Sequence, residues 1–152
     1  MYEVRVEVSF AAAHFLRDYH GKCERLHGHN YKVYAHVRGA VLDAGGMVLD
    51  FAQLKAALRK VCEQLDHTTL NDNSYFAQNP SAERIARYIY DGVVDTLFAQ
   101  GIDVSPQSAG AQLFAVDVFE TETSRARYWA ETSGGEAPVA VGAALKKTPH
   151  RL

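Results

Sequence analysis

His14, His27 and His29, with Cys23 set among them, are the residues of this chain with the most chemistry to offer. Three imidazoles plus one open position form the ligand set of a catalytic zinc centre; a closed structural site would use a fourth protein ligand. Zinc suits all-imidazole tetrahedral ligation, although cobalt, nickel and ferrous iron accept the same donors. Cys23 lies in a polar stretch between Lys22 and Arg25. Nearby cations favour a thiolate, so Cys23 reads as a thiol free to act on whatever the metal holds. Its position four residues before His27 leaves a role as fourth ligand as the lesser alternative.

Two further candidates stand apart from that cluster. Asp66-His67 follows a helical pattern, where a helix C-terminus favours imidazolium and the carboxylate would orient the ring; the bland alternative is that the pair merely ends the helix. Glu120 falls in an otherwise apolar segment, and an unpaired buried carboxylate is costly. Its partner is Arg125 or Arg127, or else a ligand with adjacent N–H donors. His20, His36 and His150 have no partner in the pattern and read as surface or loop residues, and Cys62 reads as a small buried apolar group.

The elements that must position these groups follow from periodicity. Residues 2–10 alternate, with Tyr2, Val4, Val6, Val8 and Phe10 on one face, and His14 keeps their parity. After a loop over residues 16–26, a second strand over residues 27–38 puts His27, His29, Tyr31, Val33, Ala35 and Val37 on one side. His27 and His29 are then about 7 Å apart along the strand, a spacing from which two imidazoles converge on one ion. A helix opens at Asp50 with Gln53 in the capping-box position, carrying Phe51, Leu54, Leu58, Val61, Cys62 and Leu65 as one stripe. A second helix begins near Asn79-Pro80 and stops at Gly101. Strands follow over residues 112–120 and 124–131.

The order is therefore β-β-α-α-β-β, an α+β fold with an antiparallel sheet and two helices on one of its faces. Phe114, Val116 and Val118 alternate with Leu113, Ala115 and Phe119, which makes both faces of the third strand apolar and implies that the uncovered face meets other subunits. Residues 1–131 make one domain, and residues 132–152, rich in small residues, read as a loosely ordered tail. With 152 residues, 47% of them hydrophobic, and a net charge of -2, the chain has no global field to recruit nucleic acid or an anionic membrane. No apolar run approaches the ~20 residues of a membrane span. The alternating start does not resemble a signal peptide and the cysteines are sparse, so a reduced, cytoplasmic protein is expected.

Assembled, these segments resemble the family of 6-pyruvoyl-tetrahydropterin and 6-carboxy-tetrahydropterin synthases. The resemblance runs from Val4 to about Tyr128. It rests on Phe10-x-Ala12-Ala13-His14, Cys23-x-x-x-His27-Gly28-His29-Asn30-Tyr31, Val48-Leu49-Asp50-Phe51, Leu65-Asp66-His67-x-x-Leu70-Asn71, Asn79-Pro80-Ser81-x-Glu83 and Val118-x-Glu120-Thr121. The spacing from Cys23 to His27 favours the carboxy-forming branch, the enzyme of queuosine biosynthesis. Ser81-Ala82 departs from the family's Pro-Thr-Ser-Glu pattern and removes a hydroxyl at position 82.

The resemblance implies the tunnelling fold, in which sheets of three subunits join into a barrel and two trimers stack into a hexamer. It implies the substrate dihydroneopterin triphosphate, converted to 6-carboxy-tetrahydropterin with loss of acetaldehyde and triphosphate. His14, His27 and His29 would hold Zn2+, Cys23 would abstract the proton with Asp66 and His67 as partners, and Glu120 would anchor the pterin. Lys22 and Arg25 are candidate triphosphate contacts. Two other readings stay open: the sister pyruvoyl-forming enzyme, and a non-catalytic zinc-binding assembly protein in which Cys23 closes the site.

Overall fold

In a computed structural model of the chain, which describes residues 1–77 and 79–131, the alternating start forms a long strand, β1 (Tyr2–His14), antiparallel to β2 (His27–Gly39). The pairing carries His14 opposite His27 and Ala12 opposite His29. The expected loosely ordered tail, with His150, lies outside the described residues. α1 (Phe51–Glu63) follows, then the two-residue strand β3 (Thr68–Thr69), α2 (Ala82–Ala99), β4 (Gln112–Thr121) and β5 (Ser124–Tyr128). The sheet order is β3-β1-β2-β4-β5, with β3 parallel to β1 and the other pairs antiparallel.

Both helices cover one face. Leu54, Leu58 and Val61 of α1 and Ile85, Ile89, Val93 and Leu97 of α2 are buried against Phe10, Val33, Val37, Val116 and Val118. α1 forms because Asp50 caps it, its Oδ1 accepting from the Ala52 N–H at 2.8 Å. Phe51, expected on the buried stripe, is instead 58% exposed. The helices approach closely at Gly92, where a Cβ would lie 2.9 Å from Val61 Cγ1. Among the described residues no helix is long and apolar enough to cross a membrane.

Several boundaries differ from expectation for physical reasons. α2 starts at Ala82, capped by Ser81, whose Oγ accepts from the Arg84 N–H at 3.4 Å. Pro80 stays outside the helix because its carbonyl is used elsewhere, as described below. The last strand ends at Tyr128 rather than residue 131. The two-residue β3 has too little sequence to show a period.

The third long strand departs most. Its pairing with β2 skips Phe114, so His36 faces Ala115 while Val37 faces Leu113. Phe114 bulges under the Arg38 guanidinium, which sits 3.3 Å from its ring centroid. Leu113 thereby joins Val116 and Val118 in the core, while Ala115 and Phe119 stay on the sheet's open face among polar and charged groups. Glu3, Arg5, Tyr34, His36, Arg38, Asp117 and Arg127 alternate onto it. His36 was expected at the surface; it is 6% exposed and bonded at both ring nitrogens, to Asp117 Oδ2 at 2.8 Å and Glu3 Oε1 at 3.1 Å.

Along residues 2–10 no strand among the described residues pairs with the outer edge of β1, and the outer edge of β5 is likewise unpaired.

Candidate active site

Strand pairing does most of the assembly. His14 ends β1, and His27 and His29 begin β2 on the matching face, so three imidazoles meet at one end of the sheet. One ligand nitrogen from each lies within 4.8 Å of the others, and their ring centroids are 4.6 to 5.1 Å apart. These side chains could hold a metal ion.

The surrounding backbone selects which nitrogens are available. His14 Nδ1 donates to the Pro80 carbonyl at 2.9 Å, and His27 Nδ1 donates to the Arg25 carbonyl at 2.7 Å. Each bond fixes a ring and turns Nε2 toward the cluster, as outer-shell partners of metal-binding histidines do. His14 Nε2 is buried and finds no hydrogen-bond partner among the described residues. Burial holds the His14 imidazole below its ordinary range, against the pull of Pro80 and Glu120 in the other direction. A buried, neutral imidazole with an orphaned nitrogen fits a divalent cation, and the three-nitrogen donor set fits zinc.

Asparagines hold this arrangement in register. Asn71 Oδ1 accepts from the Phe15 N–H at 2.9 Å and its Nδ2 donates to the Phe15 carbonyl at 2.8 Å. Asn79 makes the same pair of contacts, more loosely, with Arg17. The chain leaving His14 is thus clamped to the segment that supplies Pro80. In the sequence Asn71, Asn79 and Pro80 stand out as parts of motifs, and Asn79-Pro80 also as a helix start; their task is not visible there because it falls to amides and a main-chain carbonyl.

Glu120 lies on the face of the imidazoles. Its Oε1 is 3.6 Å from His14 Nε2. The expected arginine partners go elsewhere: Arg127 Nε and Nη2 bind Asp117 at 2.7 and 2.8 Å, and Arg125 Nη1 is 3.6 Å from the same carboxylate. Glu120 also borders a cavity of about 210 Å³ shared with Leu16, Ser81 and Glu83.

Asp66 and His67 do not end the helix, which stops at Glu63 with Gln64 as its cap. They dock on β1 instead. Asp66 Oδ1 accepts from the Ala11 N–H at 2.9 Å, Asp66 Oδ2 takes the His67 Nδ1 at 2.9 Å, and the His67 N–H donates to the Ala11 carbonyl. His67 adopts a left-handed φ of 55°, a strained conformation for a non-glycine residue that the Ala11 contact sustains. The Ala11 N–H first, and His67 second, hold the Asp66 carboxyl below the usual carboxylate range. His67 lines a cavity of about 480 Å³ that it shares with Ala11, Ala13, Asn30 and His29. By strand alternation the Ala11, Ala13 and Asn30 side chains lie on the face opposite the three imidazoles, so this cavity wraps the sheet edge and reaches His29.

Cys23 is half-buried on the turn Lys22–Glu24. Its sulfur does not belong to the group of donor atoms formed by the three imidazoles. Its carbonyl accepts from the Leu16 N–H at 2.7 Å, which folds the 16–26 loop back toward the end of β1. Lys22 and Arg25 are both exposed on this loop.

Comparison with known proteins agrees with this geometry. The family model described as 6-pyruvoyl tetrahydropterin synthase matches residues 3–131. A 6-carboxy-5,6,7,8-tetrahydropterin synthase of Synechocystis sp. is 38% identical over 135 residues, covering 85% of this chain and 94% of that protein. The human 6-pyruvoyl tetrahydrobiopterin synthase is 35% identical over 144 residues, covering 85% and 92%. The solved Caenorhabditis elegans 6-pyruvoyl tetrahydropterin synthase superposes with a TM-score of 0.70 at 27% identity, covering 86% of this chain and 96% of that one. The chain belongs to the 6-pyruvoyl tetrahydropterin synthase family, with its tunnelling-type α+β fold, and is a lyase similar to the family's 6-carboxy-tetrahydropterin synthases.

Proposed function

We propose that this protein is a zinc-dependent lyase of queuosine biosynthesis. It converts 7,8-dihydroneopterin triphosphate to 6-carboxy-5,6,7,8-tetrahydropterin and releases acetaldehyde and triphosphate. The observation that carries this reading is the imidazole cluster with the Glu120 carboxylate 3.6 Å from its buried member. His14, His27 and His29 would hold the ion, which when bound supplies Lewis acidity to hydroxyls on the pterin side chain.

The remaining work falls to the chain's own groups. Glu120 accepts paired hydrogen bonds from the pterin amine and ring N–H, which orients the ring and selects it. Cys23 takes the side-chain proton as a general base. His67, held through Nδ1 by Asp66, moves a second proton at Nε2. The carboxy-forming branch is supported by the three residues between Cys23 and His27 and by the Synechocystis relative.

The working form is a cytoplasmic homo-oligomer, a hexamer of two trimers, with residues 1–131 as its catalytic domain. The outer edges of β1 along residues 2–10 and of β5, unpaired among the described residues, favour strand pairing between copies. The Asp66–His67 dyad docks on the outer edge of β1, beside the stretch left for pairing with another copy, and in this reading the dyad of one copy serves the cluster of another. Two experiments address these points. Incubation with 7,8-dihydroneopterin triphosphate and mass identification of the pterin should give the 6-carboxy product; a 6-pyruvoyl product assigns the sister activity, and no turnover at all overturns both. Mixing inactive His29→Ala and His67→Ala subunits should restore part of the activity, and a mixture as dead as its components would place both groups in one subunit's site.

A further inference from the structure

Two buried side-chain polar atoms lack a hydrogen-bond partner among the described residues, His14 Nε2 and the Tyr31 hydroxyl, and both belong to this site. A cation accounts for the first. The second is unexplained, and a buried hydroxyl without a partner is costly.

The Tyr31 side chain is fully buried, at 0% exposure. Its ring stacks on Phe10 at 4.8 Å and stands edge-on to His29 at 5.4 Å and His14 at 5.9 Å. On the other side it meets β4: Lys32 pairs with Phe119, so Tyr31 and Glu120 are the next neighbours across the strands. Glu120 now leans toward His14 Nε2, the nitrogen a cation would take. Once that nitrogen is taken, the Tyr31 hydroxyl is the remaining buried donor of the site without a partner.

We propose that Tyr31 is a positioning residue for Glu120, its hydroxyl donating to one carboxylate oxygen in the metal-loaded protein so that the other oxygen faces the bound ring. This inference rests on the reading of Glu120 as the pterin anchor. It adds a reason for a tyrosine at this core position, since phenylalanine would stack on Phe10 equally well.

The test is Tyr31→Phe in the zinc-loaded protein, with 7,8-dihydroneopterin binding read by fluorescence and zinc content by plasma mass spectrometry. Zinc stoichiometry should stay unchanged while the Kd rises roughly tenfold, the size of one hydrogen bond to a charged group. In a double-mutant cycle, Tyr31→Phe with Glu120→Ala should bind no more weakly than Glu120→Ala alone. An unchanged Kd, additive losses, or a loss of zinc that parallels the loss of binding would each overturn the proposal. If the unaltered protein binds no 7,8-dihydroneopterin, the pterin reading fails instead, and the hydroxyl is then judged by a crystal structure of the zinc-loaded, pterin-free protein. There, Tyr31 Oη within about 3 Å of a Glu120 oxygen sustains the contact, and a hydroxyl bonded elsewhere refutes it.

Discussion

The two faces of one sheet use histidine in opposite ways. On the helix side, His14 and His27 each commit one nitrogen to a main-chain carbonyl, and His14 leaves its other nitrogen orphaned. On the open side, His36 is saturated, with Asp117 at one nitrogen and Glu3 at the other. Both His14 and His36 are buried. Burial alone therefore does not separate a ligand from a structural group; the number of unclaimed nitrogens does. The open-face histidine ties β1, β2 and β4 together, while the helix-side set keeps a buried nitrogen unclaimed among the described residues and could hold a metal ion.

The sharpest way to break this contrast is at the ligands. His29→Ala should reduce metal stoichiometry to near zero and turnover by more than the 10–100-fold typical of losing an outer-shell partner, with little change in melting temperature. Plasma mass spectrometry and thermal denaturation check both halves; metal retained at full stoichiometry would remove His29 from the set. Chelation should silence the enzyme yet leave its far-ultraviolet circular dichroism intact, because the imidazoles sit on strands already paired. A chelated protein that unfolds would mean that the ion supports the fold.

Cys23→Ala should lower kcat by roughly 10²–10⁴-fold, as expected for removal of a general base, while metal content is unchanged. Loss of the ion together with the thiol would revive the closed four-ligand site.

Asp117→Ala should act in the reverse sense, destabilising the fold by about 3 kcal/mol because a buried ionic cluster loses its acceptor. Metal stoichiometry of the folded protein should be unaffected. Urea denaturation measures the first and metal analysis the second.

The smallest effect is one of pH. Burial raises the Asp117 carboxyl, but hydrogen bonds from Arg127 and His36 outweigh it and hold the group below the usual carboxylate range. Glu3 is lowered as well, chiefly by Arg38 and then His36. A depressed carboxyl contributes stability above its unfolded value of about 4, and the contribution fades as pH falls through the lower folded value. Melting temperature should therefore drop below about pH 4, and drop less steeply in Asp117→Asn. Identical acid slopes in the two proteins would show that the cluster titrates normally.

The same contrast marks what can be read without coordinates. His27-x-His29 is a local, period-two signal, and His14 shares its parity through a single hairpin pairing, so the meeting of the three imidazoles is legible in the sequence. So were the strand-helix order and the Asp50 cap. His36 was not, because its partners Glu3 and Asp117 lie 33 and 81 residues away and nothing local announces them. Glu120 was legible as an anomaly, but its neighbour was not, since the Phe114 bulge and the preference of both arginines for Asp117 appear only once strands are paired. Pro80 was misread as a helix start because a main-chain carbonyl serving His14 leaves no trace in residue type.

Along residues 2–10 the outer flank of the first strand, unpaired among the described residues, has a further consequence for handling this protein. Its row of main-chain donors and acceptors will accept any extended segment that reaches it first. Recovery after dilution or denaturation should hence depend on how quickly like chains meet relative to unlike ones, and co-expression with itself at high level becomes a protective condition instead of a hazard.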